Sequence, residues 1–218
     1  MQAALVLPHL AAPPVRAPEA DPRDEVTLIG VARNFGRDQQ IFGEGEGAEW
    51  VYKVVSGAVR AFRVLADGRR QIERFYLPGD LFGIEPGAVR GSAAEAISPT
   101  TVVVARRSAL ACDAGQAVAA WRLALRELQR SHDHILTLGR RSAGERLARF
   151  LVDLAAQLDS GTDLDLPMSR QDIADYLGLT IETVSRTMTQ LQAQGLVSLS
   201  GCRHVRLLRS AALAELCE

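Results

Sequence analysis

The 218-residue chain has little cysteine, and its three residues of that type, Cys112, Cys202 and Cys217, are far apart. Their odd number and the absence of a Cys-x-x-Cys pair argue against a secreted disulfide framework and against a zinc or iron–sulfur ligand set. No metal site is expected, and a reducing cytoplasm is the natural compartment. Long hydrophobic runs are missing as well. The longest falls far short of the roughly 18 residues a membrane helix needs, which excludes an integral membrane protein. Net charge is nearly absent: 25 Lys and Arg face 26 Asp and Glu, for a formal −1. No whole-chain basic excess therefore announces nucleic acid. Lys53 is the only lysine, so guanidinium forks carry almost all the positive charge, a bias that a GC-rich genome also produces. Residues 1–25 contain Pro8, Pro13, Pro14, Pro18 and Pro22, lack a basic leader, and have only Leu5-Val6-Leu7 as an apolar core. They read as a flexible tail, not a signal peptide.

What remains is globular, with 47% hydrophobic and 23% charged residues, long enough for one large domain or two smaller ones. From Val26 to about Cys112 the pattern is β-rich. Trp50-Val51-Tyr52-Lys53-Val54-Val55 leads through Ser56-Gly57 to Ala58–Val64, where bulky apolar residues alternate with arginine as in a half-buried strand. Asp67-Gly68 is a hairpin turn before Gln71–Tyr76, Leu77-Pro78-Gly79-Asp80 marks another turn, and Thr100–Ala105 is a β-branched strand, ending near Cys112. Short strands with glycine turns predict a compact antiparallel roll or barrel.

The period then changes. From Ala117 to about Arg141, Val118, Trp121, Leu125, Leu128, His132 and Ile135 recur at alternating spacings of three and four, a heptad seam on a long helix. Such a seam wants a partner: a second copy of itself, or the chain's own β-roll. His132 within it is either a tolerated polar residue or a sensor. A second helix runs from about Ala143 to Leu158, and Ser160-Gly161-Thr162-Asp163 breaks the chain as a linker.

The last sixty residues carry the chemistry. Ser169 can cap a helix over Arg170–Leu177, Gly178 supplies a turn, and Thr180 can cap the next helix, Ile181 to about Ala193, which stops before Gly195. Two helices joined by a short glycine-containing turn make a helix-turn-helix. On the second helix Ile181, Val184, Met188 and Leu191 form the inner stripe, while Glu182, Ser185 and Arg186 share the outer face. Those three suit a major groove: arginine binds guanine O6 and N7 with both prongs, glutamate accepts from cytosine N4, and serine addresses several base edges. A plain surface pair of Glu182 with Arg186 is the competing reading. Leu196–Leu199 and Val205–Leu208, joined by Ser200-Gly201-Cys202-Arg203-His204, read as a β-wing. Between Ser169 and Arg209 five arginines (170, 186, 203, 206, 209) oppose Asp172, Asp175 and Glu182. Between Arg122 and Arg149 seven oppose Glu127, Asp133 and Glu145. The basic C-terminal half is the footprint that phosphate binding needs.

This order of elements resembles the cAMP receptor protein/FNR family of bacterial transcription regulators over nearly the whole chain after Val26. Val55-Ser56-Gly57-Ala58-Val59, Pro78-Gly79-Asp80-Leu81-Phe82-Gly83, Arg146-Leu147-Ala148-Arg149-Phe150-Leu151 and Ser169–Gly178 carry the resemblance, and Thr180-Ile181-Glu182-Thr183-Val184-Ser185-Arg186 is its most specific part. The Glu-x-x-Ser-Arg pattern is similar to the FNR and FixK branches. The implied fold is α+β: a tail (1–25), an antiparallel β-roll like the cyclic-nucleotide-binding jelly roll (26–112), a dimerisation helix (113–141) and a winged helix-turn-helix (142–218). The resemblance implies a homodimer that reads a TTGAT-N4-ATCAA-like palindrome in double-stranded DNA and recruits RNA polymerase. It further implies phosphate contacts from Ser169, Arg170, Thr180, Thr183, Ser200, Gly201 and Arg203, with base readout by Glu182, Ser185 and Arg186.

Within the family, residues 1–111 lack the cysteine cluster of FNR proper, so no iron–sulfur sensor is expected. The cyclic-nucleotide pattern is altered too. Its glutamate is displaced to Glu85, followed by Pro86, and Arg90-Gly91-Ser92 lacks the adjacent serine, so Arg90 reads as a surface residue and not a phosphate ligand. Gly91–Ile97 resembles the FixK branch, whose members need no known small ligand and serve low-oxygen or nitrogen-oxide respiration. No cofactor is expected; an effector-gated regulator sensing haem, nitric oxide or a cyclic nucleotide is the alternative. Cys202, beside Arg203 and His204, is either a redox-responsive thiol or an ordinary exposed one. No nucleophile–base pair or phosphate-cradling glycine loop suggests an enzyme.

Overall fold

Glycine and proline turns cut the first half of the chain into short strands. The computed structural model describes residues 26–112, 114–158 and 160–216; the tail read at 1–25 and Cys217 lie outside the described residues. In chain order the strands are β1 (Val31–Phe35), β2 (Gln40–Phe42), β3 (Trp50–Ser56), β4 (Val59–Val64), β5 (Arg70–Tyr76), β6 (Leu81–Phe82), β7 (Ala93–Ala96) and β8 (Thr100–Arg106). Helices α1 (Ala114–Arg140) and α2 (Ala143–Leu158) follow, then β9 (Asp163–Asp165), α3 (Arg170–Leu177), α4 (Ile181–Ala193), β10 (Val197–Ser200), β11 (His204–Leu207) and α5 (Ser210–Glu215). The fold is α+β, as the sequence predicts. A 3-10 turn at Arg107–Ala111 separates β8 from Cys112, which therefore does not end a strand.

The first eight strands build two antiparallel sheets, ordered β1-β8-β3-β6 and β2-β7-β4-β5. Their inner faces enclose Phe42, Tyr52, Val54, Val59, Phe82, Ala94, Val102 and Val104. Strands β1, β2, β6 and β7 were not legible in the pattern. They are short, and Ala93-Ala94-Glu95-Ala96 has poor β propensity; it is extended because β2 and β4 pair with it on either side. Gly57, at φ +83°, turns β3 into β4 where a side chain would run into the Pro99 carbonyl and Thr100. The β4–β5 hairpin closes around Asp67, whose carboxylate accepts from the Arg69 N–H at 3.0 Å.

Strand β4 departs from the half-buried expectation, because Val59 to Phe62 are all buried. Its outer face is covered by the C-terminal helices. Phe62, Ile72 and Phe75 join one continuous core with Leu147 and Leu151 of α2, Ile173 and Leu177 of α3, Met188 and Leu191 of α4, Val205 of β11 and Leu213 of α5. Phe75 packs against Tyr176 (5.3 Å between ring centroids) and Phe150 (6.2 Å).

Helix α1 uses two stripes. Ala119, Ala120 and Leu123 pack on the roll beside Val26, Val51, Leu81, Ala105 and Leu110, and Thr137 is buried further along. The predicted seam, Val118, Trp121, Leu125, Leu128 and Ile135, stays exposed, as does His132. Packing on the chain's own roll thus occurs, but through a different stripe from the seam. Arg146 staples the helix junction, donating to the carbonyls of Arg141 (2.9 Å), Leu138 (2.7 Å) and Leu177 (3.0 Å) and so satisfying carbonyls at the C-terminal ends of α1 and α3. The linker read at 160–163 is shorter than expected. Gly161 makes the turn, and Asp163 already belongs to β9, which pairs with β11 as a third wing strand and buries Leu164.

Candidate nucleic-acid interface

Two helices and a wing form the candidate interface. Ser169 begins α3 with a capping box: its hydroxyl accepts from the Asp172 N–H at 3.1 Å and donates to Asp172 Oδ2 at 2.7 Å, and that oxygen also accepts from the Ser169 N–H at 3.0 Å. Gly178 ends α3 in the left-handed region, φ 62°, where glycine has no Cβ cost. Thr180 then caps α4, accepting from the Thr183 N–H at 3.2 Å, with the two threonine hydroxyls 3.1 Å apart. Val184, Thr187, Met188 and Leu191 face the core. That leaves Glu182 and Arg186 exposed on the outer face, with Ser185 half-buried beside them.

The predicted reading triad is therefore brought together on one helix face. The Glu182 carboxylate is held below the ordinary glutamate range, first by its own backbone N–H and then by the Thr180 hydroxyl, with a smaller pull from Arg186. It is ionised and acceptor-only, the form that can receive a cytosine amino group. Arg170, in the first turn of α3, donates to Ser185 Oγ at 3.4 Å, so a residue assigned to phosphate also touches the base-reading face. The first turns of α3 and α4 carry Ser169, Arg170, Thr180 and Thr183, and backbone N–H groups at a helix N-terminus favour an anion.

The wing is more neutral than its sequence suggested. His204 Nδ1 lies 2.9 Å from Asp165 and its Nε2 lies 3.4 Å from Asp163, while Arg206 donates to Asp163 at 2.7 Å. The Arg206 hydrogen bond chiefly holds the Asp163 carboxyl below its usual range. Arg203 turns toward the Pro167 carbonyl, 3.4 Å away. Ser200, Gly201 and Cys202 are exposed at the wing tip, and the carboxylates of β9 offset the positive setting inferred for Cys202.

Arg90 is not a surface residue. It is 2% exposed, because its guanidinium donates to the carbonyls of Gly83 and Trp50 and lies 4.1 Å from the centre of the Phe42 ring. Beside it Phe42, Arg63, Tyr76, Phe82, Gly83 and Glu85 help line a cavity of about 190 Å³. Sequence reasoning also missed His134, which stacks on Tyr176 of α3 at 4.2 Å with an interplanar angle of 16°. Its place on the inner stripe of α1, two residues past His132, was the available signal. Asp172 was missed as well, although Ser-x-x-Asp before an apolar run is a recognisable capping signature. Among the described residues no group of three or more His, Cys, Asp or Glu could hold a metal, and no helix is long and apolar enough to cross a membrane.

Comparison with known proteins agrees with this architecture. Residues 145–216 match a Crp-like helix-turn-helix domain and residues 32–111 a cyclic nucleotide-binding domain. The nitrogen fixation regulation protein FixK of Azorhizobium caulinodans is 48% identical over 206 residues, covering 90% of this chain and 83% of that protein. FixK of Rhizobium meliloti is 45% identical over 179 residues, covering 82% and 83% respectively. The solved structure of FixK2 from Bradyrhizobium japonicum superposes with a TM-score of 0.84 at 45% identity, covering 88% of this chain and 98% of that one. The chain thus belongs to the CRP/FNR family of DNA-binding transcription regulators, in its FixK-like branch.

Proposed function

We propose that the protein acts in the cytoplasm as a homodimeric transcription activator, paired through Val118, Trp121, Leu125, Leu128, His132 and Ile135, that recruits RNA polymerase to TTGAT-N4-ATCAA-like palindromes. Residues 26–112 serve as the roll, 113–141 as the pairing helix and 142–218 as the DNA-binding part. Arg186 and Glu182 read the G·C pair and Ser185 a neighbouring thymine, while Ser169, Arg170, Thr180, Thr183, Ser200, Gly201 and Arg203 hold phosphates. The observation that carries this reading is the free outer face of α4: Glu182 and Arg186 are exposed, and the Glu182 carboxylate is bonded mainly within its own helix turn. The apolar stripe left uncovered on α1 supports pairing.

The protein binds DNA without an obligatory small ligand and controls low-oxygen or nitrogen-oxide respiration genes. The relatives named nitrogen fixation regulators, and one from Rhodopseudomonas palustris named a transcriptional activatory protein, support activation. Two features of the roll support ligand independence. The Arg90 Nη groups are engaged by two carbonyls and the guanidinium lies on an aromatic ring, while its buried Nε has no hydrogen-bond partner. The adjoining cavity, about 190 Å³, is below the roughly 300–1,000 Å³ of ordinary ligand pockets.

The test is a fluorescence anisotropy titration of ligand-free protein onto a labelled TTGAT-N4-ATCAA duplex at fixed salt, with a scrambled duplex as control. Tight, selective binding in air is expected. Binding without selectivity overturns ligand-free reading of this palindrome, through a missing effector or a different half-site, and brings forward an effector-gated regulator responding to haem, nitric oxide or a cyclic nucleotide.

A further inference from the structure

Four carboxylates and two arginines meet where the helix-turn-helix rests on the roll. Arg60 of β4 is 8% exposed and Asp172 of α3 is 4% exposed. Arg60 reaches Glu95 at 2.6 Å, Asp172 at 3.1 Å and Asp38 at 3.2 Å. Arg70 of β5 reaches Asp172 at 2.8 Å and Asp175 at 2.9 Å. Asp172 divides its two oxygens between two tasks. Oδ2 closes the capping box with Ser169, whereas Oδ1 receives Arg60 Nη1 and Arg70 Nη2 from the roll.

The carboxylate that starts α3 therefore also ties it to the β4–β5 hairpin. Gln71 adds a contact to the Tyr176 carbonyl at 3.4 Å, and Arg146 and His134 hold the far end of the same helix. Helix α3 shares its core with α4 through Ile173, Leu177, Val184 and Met188, so a tilt of α3 carries the reading face with it. An apolar contact tolerates sliding. A buried ion pair resists it: a shift that withdraws one partner leaves an uncompensated buried charge, so the register that supplies the partner is favoured.

We propose that Arg60 and Arg70 are positioning residues for DNA reading: through Asp172 and Asp175 they hold the helix-turn-helix in its DNA-competent pose without any ligand. The inference rests on the palindrome reading above and deepens it, by naming what takes the place of an effector. In the clamped pose the outer face of α4 is clear of the roll, with Glu182 and Arg186 exposed. Releasing the clamp leaves the competent pose only fractionally populated, which weakens apparent affinity by that fraction without altering which bases are preferred.

The experiment uses the full chain: wild type, Arg70→Gln, Arg70→Lys, Asp175→Asn and the double variant Arg70→Gln/Asp175→Asn. Each is titrated onto the palindrome and onto half-site variants, with circular dichroism and sedimentation as checks on folding and pairing. Arg70→Gln, which loses both Asp172 and Asp175, should weaken palindrome binding about tenfold. Asp175→Asn, which loses one of those two contacts, should weaken it less, and the double variant no more than Arg70→Gln alone, because the Arg70–Asp175 contact is already gone. Arg70→Lys, which keeps the charge but not the fork that bridges Asp172 and Asp175, should fall between Arg70→Gln and wild type. The rank order of half-sites and the dimer fraction should match wild type. If Arg70→Gln does not fold, Asp175→Asn, at the rim of the cluster, carries the test. Affinity equal to or tighter than wild type, additive losses, or a changed rank order overturns the clamp while wild-type selectivity leaves the palindrome reading standing. Loss of selectivity in wild type itself overturns both.

Discussion

Replacing Leu128 by alanine probes the proposed pairing face where the chain's own core is not involved. Leu128 is 52% exposed, so about half of its side chain remains to be buried. Removing a leucine to alanine deletes roughly three carbon groups at ~0.8 kcal/mol each when fully buried, hence about 1–1.5 kcal/mol per copy at half burial. A two-fold interface contains the residue twice, which gives about 2–3 kcal/mol, or a roughly 30- to 150-fold weaker dimer. Sedimentation over a concentration series reads this directly. Trp121, 65% exposed on the same stripe, supplies a second signal, because its emission should shift to the blue as the dimer forms. Leu65→Ala is the control: it too is an exposed leucine, in the loop between β4 and β5, and it should leave pairing unchanged. A dimer constant for Leu128→Ala equal to wild type, or an equal loss from Leu65→Ala, refutes the seam.

Other outcomes follow from individual residues. Arg186→Ala should cost about 1–3 kcal/mol of palindrome binding and relax discrimination at the guanine; equal losses on palindrome and scrambled duplex would refute base readout. Burial pushes the His134 imidazole below its ordinary 6.5, so the folded state takes up its proton less readily than the unfolded chain. Stability should therefore be full at neutral pH and decline as pH falls below about 6.5. Urea unfolding from about pH 7.5 to 5 should show that slope in wild type and a flatter one in His134→Phe, and parallel slopes would discount the histidine. Gly57→Ala combines a positive φ with a Cβ pressed on the Pro99 carbonyl, so a loss above about 3 kcal/mol in thermal unfolding is expected.

Elements with local causes were legible in the residues alone. Helices α2, α3 and α4 begin and end where the sequence predicts, because Ser142, Ser169, Thr180 and Gly178 act on backbone groups within a few residues. The placement of Glu182, Ser185 and Arg186 together follows from helical period alone, and so does the seam of α1. Tertiary structure decided what each side chain meets. Arg60 and Asp172 lie 112 positions apart, and no period links them. Arg60 reads as the solvent face of a strand until α3 covers it. Arg90 reads as surface until two carbonyls and Phe42 enclose it. His132 and His134 are two residues apart, yet one faces water and the other stacks on Tyr176. A residue's neighbours along the chain set its backbone conformation, but the dielectric and the partners that decide a charge's role come from segments folded against it from elsewhere.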